Sequence, residues 1–357
     1  AATEEQQRPD VEWAVHGQDA AEGRYSSLAD IHTGNVKSLG LDWYFDYPTS
    51  RGLEATPLVI DGVIYTTGSW SMVFAHDARS GELRWRFDPL PHDIENPEAL
   101  GWTREALAVT GGGNVWTMMS VDPERRLVFL PTATAAPNNY GGLRPGDNRY
   151  ANSVVALNAA DGSVAWHFQI VHHDVWDLDL PAQPMLVDLE RKDETIPVVI
   201  QLTKQGLIFV LHRETGEPVF GVEERPVPTD GVPGEVLSPT QPFPLKPDPI
   251  GVDRFTPDDA WGFTLLDRAA CRDKLASFER SGLYEPPSFG GTLYAASANN
   301  WGGAAWDQER SLLILPVSQV PIYTKLKRTA DVTPEELAQP RMGPIGPPTA
   351  MAGTPYS

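Results

Sequence analysis

The sequence predicts an all-β protein, a β-propeller of four-stranded antiparallel blades. Three observations carry this. A hairpin signature recurs along the chain, an aromatic residue closes it each time, and glycine and proline are abundant enough for many tight turns. Gly and Pro number 31 and 33 in 357 residues, and Trp numbers 11. A β-sandwich is also all-β, but sandwiches do not repeat a whole sequence signature.

The first hairpin signature is VFAHDARSGELRWRFDP (73–89). It returns as VVALNAADGSVAWHFQI (154–170) and as IFVLHRETGEPVFGVEE (208–224). Each reads as strand, turn, strand with alternating apolar residues. Trp85, Trp166 and Phe220 close the three copies, and the two tryptophans read as packing between blades. Gly81, Gly162 and Gly216 fall where a tight hairpin needs positive φ.

A second hairpin signature precedes the first. PLVIDGVIYTT (57–67), SVDPERRLVFLPTAT (120–134) and AWDQERSLLILPVSQ (305–319) share it, and MLVDLERKDETIPVVIQLT (185–203) fills the same slot with a longer turn. Two hairpins make one blade. The expectation is three complete blades and the opening hairpin of a fourth, in one domain over 1–357. LGLDWYFDYP (39–48) resembles ELRWRFDPLP (82–91), the last strand of a unit, so it reads as a strand that completes a blade from the other end of the chain. Residues 221–258 are proline-rich and read as an excursion across one face. Residues 265–281 have a helical pattern and predict a short helix, while the tail at 338–357 has no period.

Composition narrows the partners. Hydrophobic residues make up 41 %, enough for a core. Lys and Arg total 28 against 48 Asp and Glu, a net charge of −20 that argues against nucleic acid or anionic lipid. The single cysteine, Cys271, excludes an intramolecular disulfide and a Cys-based zinc cluster. The chain starts AATEEQQRPD, without methionine. That reads as an end left by processing, hence export to the periplasm, or as a trimmed end.

One stretch carries candidate chemistry, WHFQIVHHDVWDLDLPAQP (166–184). WHFQ ends one blade and DLPAQPML begins the next. HHDVWD is then the crossing between blades, where a propeller exposes side chains to its central channel. Adjacent residues of an extended chain point to opposite sides, so His172 and His173 make poor co-ligands for a metal. They read as substrate-pocket groups or as groups that orient Asp174.

The unit A-x-D-x-x-S/T-G-x-x-x-W is similar to the tryptophan-docking motif of quinoprotein dehydrogenases, which use pyrroloquinoline quinone (PQQ). GRYSSLADIHTGNV (23–36), GGGNVWTMMSVDPERRLVFLPT (111–132), VHHDVWDLDLPAQPMLVD (171–188), TKQGLIFVLHRETGEPVF (203–220), SPTQPFP (238–244) and NNWGGAAWD (299–307) resemble the membrane-type glucose, polyol and alcohol dehydrogenase branch. The resemblance covers most of the chain. It implies an eight-bladed propeller that oxidises a sugar, polyol or alcohol, with PQQ in the central channel and coordinated to Ca²⁺. By motif, Asp174 takes the place of the catalytic base and metal-side carboxylate. Trp116 takes the place of the floor under the quinone, and Lys204 that of the cation on its oxygens. Asn300 and Trp301 line the far side, and Glu54 lies near the cofactor's carboxylates. Thr134 stands where the family often has a metal-ligand asparagine.

The chain also departs from the family. VFAHDARSGELRWRFDP runs almost directly into IENPEALGWTREALAVTGGGNVW, as if blades between them were deleted, and about four blades are visible. No C-x-x-C-H haem motif and no run of about 20 apolar residues occur. The acceptor implied is therefore separate, a membrane quinone or a cytochrome. The alternative reading is a non-catalytic propeller serving as a binding or scaffold module.

Overall fold

The computed structural model describes residues 12–18, 23–49, 53, 55–69, 72–92, 94–191, 194–296, 298–333, 351 and 353–357. Its first blade is a sheet of β1 (Leu58–Ile60), β2 (Val63–Thr67), β3 (Val73–Asp77) and β4 (Leu83–Phe87), paired antiparallel in chain order. A short helix, α1 (Arg104–Val109), follows, its first turn capped by the Thr103 hydroxyl. The second blade repeats the first: β5 (Ser120–Asp122), β6 (Leu127–Pro131), β7 (Ser153–Asn158) and β8 (Val164–Gln169).

The third blade corrects an expectation. β9 (Met185–Arg191), β10 (Glu194–Leu202) and β11 (Ile208–His212) form a three-stranded sheet. The expected fourth strand shrinks to a bridge between Leu211 and Pro218 and two hydrogen bonds, from His212 N to Glu217 O at 2.8 Å and from Val219 N to Val210 O at 2.9 Å. Pro218 cannot donate to a ladder, and Gly221, at φ 79°, turns the chain away. The chain then enters the excursion, which is less irregular than its prolines suggest. It holds a hairpin of β12 (Val222–Pro226) and β13 (Thr240–Pro244).

A helix does form in the predicted region, α2 (Leu265–Ala276), with a capping box between Thr264 and Asp267. It buries none of its residues. β14 (Arg280–Ser281), β15 (Thr292–Tyr294) and β18 (Ile322–Thr324) make a small mixed sheet. Between the last two lies the hairpin β16 (Ala305–Asp307) and β17 (Leu312–Ile314), the predicted opening of a further blade. Residues 338–350 and 352 of the tail lie outside the described residues.

The blades stack face to face, so their strands are apolar on both sides. In β6, Leu127 and Phe129 join the core shared with the third blade, and Val128 and Leu130 join the core shared with the first. In β10, Val199 faces the second blade, while Val198 and Ile200 pack towards Trp306 and Leu313 of the last hairpin.

One contact repeats at three junctions. The indole Nε1 of Trp85, in β4, donates to Ala159 O at 2.8 Å, and that of Trp166, in β8, donates to Arg213 O at 3.0 Å. Trp43 makes the same bond to Ala78 O at 3.1 Å. In each case the acceptor lies three residues before the turn glycine of the next blade. Gly81, Gly162 and Gly216 have φ of 74°, 72° and 74°. A Cβ on them would come within 2.5, 2.6 and 2.5 Å of Trp43, Trp85 and Trp166 respectively. Each glycine therefore meets two demands, a left-handed backbone and a flat surface under an indole. Residues 39–48 form no strand, yet Trp43 docks as the last strand of a blade would, with Trp43, Phe45 and Tyr47 turned inward on alternate positions.

Gly162→Ala is expected to cost at least ~2 kcal/mol, the left-handed penalty plus overpacking against Trp85. Gly62→Ala pays the backbone penalty alone, because nothing lies within 4 Å of its Cβ position. Equal losses for the two variants in urea denaturation would show that indole docking is not felt. A second expectation concerns acid. His167, in β8, lies edge-on to Tyr150 with ring centroids 5.0 Å apart. Burial, then the Arg149 charge, lowers its pKa from 6.5 to about 4. The unfolded chain therefore takes up this proton first, and stability falls as pH drops from about 6.5 to about 4. His167→Gln should flatten the denaturation midpoint across that window.

Candidate functional site

The crossing at 170–184 runs from the end of β8 to the start of β9, and the interior closes around it. Ile170, Val171, Val175, Trp176, Leu178 and Leu180 all lie in the main core. Trp176 fixes its middle, with Nε1 donating to Glu285 O at 2.8 Å and its ring edge-to-face with Tyr284. This burial carries polar side chains inward with the apolar ones.

Asp174 is 2 % exposed. Its Oδ1 accepts from Trp176 N at 2.8 Å. Its Oδ2 accepts from Leu178 N at 2.8 Å, from Asn152 Nδ2 at 2.9 Å and from the Thr134 hydroxyl. Burial raises its pKa against the pull of these donors. Thr134 is also buried, and its backbone N–H donates to Asp179 Oδ1 at 2.7 Å. Asn152 was not singled out from sequence. It stands at φ 49°, and its Nδ2 also reaches Thr134 Oγ1 at 3.2 Å and Leu178 O at 3.0 Å. Asn152 thus brings an amide to this cluster from a different loop, 18 residues on from Thr134, as an N–H donor and not as an oxygen ligand. The sole local sign of it is an asparagine before a strand, where left-handed backbone is tolerated.

Lys204 lies beside this cluster, 6 % exposed. Its Nζ donates to Asp177 O at 2.7 Å, Asp179 Oδ2 at 2.8 Å and Asp177 Oδ2 at 3.2 Å. Burial works against the ammonium, but Asp179 and then Asp177 outweigh it and hold its pKa above the usual value. Asp177 keeps 43 % of its side-chain surface open. Its carboxyl is nonetheless pushed upward, by loss of hydration and then by the Asp179 carboxylate, and crowding by neighbouring acids supports that direction.

Trp116 and Trp301 meet edge-to-face, with ring centroids 4.5 Å apart. The Trp116 Nε1 is buried without a partner. Asn300 spends its Oδ1 on the Trp301 N–H at 3.0 Å, so it shapes the turn that presents Trp301. Trp301 is 45 % exposed and lines a cleft of about 400 Å³ with His16, Arg24, Met118, Gln183 and Met185. Of the residues expected around the cofactor, Trp301 is the one on the cleft wall; Asp174, Thr134 and Lys204 are not on it. Glu54 lies outside the described residues.

The two histidines separate. His172 is half-buried, its ring nitrogens facing Gln169 Oε1 at 2.8 Å and Glu224 Oε1 at 3.1 Å. His173 does not sit in a pocket. It is 2 % exposed, with Nε2 3.0 Å from Glu235 Oε1 and Nδ1 2.8 Å from Gly146 O.

The groups that the resemblance implies can be tested against these donors. Ca²⁺ takes six to eight oxygens. Asp174 and Thr134 bond to each other, and Asp174 Oδ2 already accepts three hydrogens. Among the described residues, no three His, Cys, Asp or Glu side chains group as a metal site. These residues do not fit Ca²⁺ as they stand. A flat, anionic quinone fits the cleft better, given its volume, the Trp301 wall backed by an unpaired indole N–H, and Arg24.

The comparisons with known proteins agree with the fold. The family model described as "PQQ: Glucose/ethanol/alcohol dehydrogenase, beta-propeller domain" matches residues 13–96 and 71–357. The chain is 36 % identical over 290 residues to the quinoprotein glucose dehydrogenase of Escherichia coli (strain K12), covering 76 % of this chain and 35 % of that protein. It is 35 % identical over 332 residues to the quinate/shikimate dehydrogenase (quinone) of Acinetobacter baylyi, covering 87 % and 39 %. It is 33 % identical over 333 residues to the glycerol dehydrogenase large subunit of Gluconobacter thailandicus, covering 87 % and 44 %. The chain thus spans less than half the length of each of these relatives. A solved quinohemoprotein alcohol dehydrogenase from Pseudomonas putida shares the fold, with a TM-score of 0.53 at 20 % identity over 97 % of this chain and 61 % of that one.

Lys204→Met should leave the buried Asp179 and the part-exposed Asp177 without their cation, at a cost of about 3–5 kcal/mol at pH 7. The loss should shrink at pH 5, because the Asp177 carboxyl, already pushed upward, needs no counter-ion once protonated. A pH-independent loss in chemical denaturation would mean that packing of the lysine stem, not charge, sets the cost.

Proposed function

The chain belongs to the glucose/ethanol/alcohol dehydrogenase β-propeller family that uses PQQ, and from that premise we propose that it binds PQQ and serves the oxidation of a sugar, polyol or alcohol. The observation that carries this reading is the cleft of about 400 Å³ walled by Trp301, backed by Trp116 and flanked by Arg24. The Trp301 indole, with Trp116 packed against it, would hold a flat ring system through area and polarisability. Arg24 would meet a carboxylate with a charge-assisted hydrogen bond. Bound PQQ supplies a quinone able to take up the two electrons lost by the alcohol.

The protein's own part follows from its donors and acceptors. Asp174 is buried and off the cleft wall, so it would act as base only once the crossing opens to bring a substrate hydroxyl to its Oδ1, which carries one hydrogen bond and keeps capacity for that proton. Its raised pKa suits a group that must hold that proton briefly. Lys204 balances Asp177 and Asp179, so that Asp174 is not flanked by uncompensated charge. His172 is the histidine left near solvent for a substrate to meet. Ca²⁺ enters no step, because the oxygens around Asp174 are already engaged. Electrons pass to a separate acceptor, a membrane quinone or a cytochrome, and the same reading places the protein in the periplasm.

A second reading has its own support. All three Lys204 hydrogens and all of the accepting directions of Asp174 Oδ2 are spent inside the protein. A site so closed favours a propeller that binds without turning over.

Titration with PQQ alone, followed by tryptophan fluorescence, tests the first step. Micromolar quenching is expected, and Trp301→Ala should weaken binding about tenfold. Loaded Asp174→Asn should keep the cofactor but reduce a dye with glucose, glycerol or ethanol at least ~100-fold more slowly than wild type. Absence of quenching at micromolar PQQ refutes the proposal. Binding without turnover in the wild type selects the second reading.

A further inference from the structure

The residues just before Asp174 are held from outside the blades. Gln241, in β13, is completely buried. Its Oε1 accepts the His172 N–H at 2.8 Å and its Nε2 donates to the His172 carbonyl at 2.7 Å. A side-chain amide thereby pairs with a backbone residue as a neighbouring strand would. Glu235 lies between the two strands of the same hairpin. Its Oε1 is 3.0 Å from His173 Nε2, and its Oε2 accepts from Gly141 N at 2.7 Å. Both side chains of that pair are buried, at 2 % and 3 % exposure. His173 stands at φ 46°, a conformation that a non-glycine residue keeps only when its surroundings impose it. A Cβ on Gly141 would come within 2.0 Å of His173 Nε2. From the other side, the Arg144 guanidinium donates to the Asp174 carbonyl and to Pro137 O at 2.9 Å.

These bonds divide the work around Asp174. Its carboxylate is bonded forward, to the N–H groups of Trp176 and Leu178. Its backbone is held backward, through His172 and His173, by groups of the proline-rich excursion, and at its own carbonyl by Arg144. A segment with a strained residue has little reason of its own to stay in register, and none of these bonds involves a β-ladder within a blade.

We propose that Glu235 and Gln241 are positioning residues, and that the excursion at 221–258 acts as a clamp setting where the Asp174 carboxylate sits. The chemical meaning of that placement rests on the proposed oxidation; the clamp itself is a property of the protein without cofactor. Gln241 reads the backbone of the crossing and Glu235 reads the His173 ring, so the two act through different atoms on the same short segment.

Amide hydrogen exchange on the cofactor-free protein tests this. Gln241→Ala and Glu235→Ala should speed exchange at residues 172–178 about tenfold while β3 of the first blade keeps its protection. Gln241→Glu retains an acceptor for His172 N and should recover part of the loss; Glu235→Gln keeps oxygen for Gly141 N and should do the same. These conservative variants also serve if an alanine variant fails to fold. Unchanged exchange at 172–178 in the folded variants overturns the proposal, and so does an equal acceleration in all blades, which would mark a general loss of stability. PQQ titration of the same variants separates this question from the function. If the wild type binds no PQQ, the proposed activity fails while the exchange pattern still decides the clamp.

Discussion

Each tryptophan resting on the next blade's glycine turn sets the distance between sheets. The indole is larger than any other side chain, and it lies flat where a single added carbon would collide with it. Its N–H is satisfied by a backbone carbonyl of the same turn, so a large apolar surface is buried with no polar cost. Once two sheets are held this way, both faces of the strands between them are interior. That explains why β6 and β7 read as unbroken apolar runs. The loops that link one blade to the next then have one direction left to go, across the ends of the strands towards the middle.

The crossing through 170–184 shows what that confinement does to charge. Two buried aspartates, Asp174 and Asp179, a buried lysine and the part-exposed Asp177 are packed into one network. A buried carboxylate left alone would be costly, and here each has found donors: backbone N–H groups, an amide, a hydroxyl, an ammonium. The network is self-sufficient, and this is why it offers little to a divalent cation. The aromatic cleft is the opposite, a partly open wall at Trp301, with the buried and unpartnered indole N–H of Trp116 packed behind it.

Much of the scaffold was legible because its signals are local. The Asp/Asn-to-Gly turns and the hairpin periods sit within a dozen residues, and they located the blades, the last hairpin and the docking of Trp85 and Trp166. The third blade was overcounted because Pro218 and Gly221 interrupt a segment whose apolar pattern still looks like a strand. In the site, Asp174, Trp116, Lys204 and Trp301 were marked by motif, and their immediate company was not. Asn152, Glu235 and Gln241 meet the crossing across 22, 62 and 69 residues of chain. Nothing in a stretch of prolines and glycines advertises that its one buried glutamine will face a histidine peptide. Such pairings are decided by where loops converge, which no period encodes.

The junction has one more property. The indole belongs to the closing strand of one sheet, and the glycine turn to the last hairpin of the following sheet. The pair that docks is therefore out of phase with the sheet that is hydrogen-bonded. Because all three junctions use the same two parts, any closing strand is a valid partner for any glycine turn. Couplings of this kind are interchangeable, like identical links in a chain. A lineage can lengthen or shorten such an array by whole links, and the parts at the new joint already match.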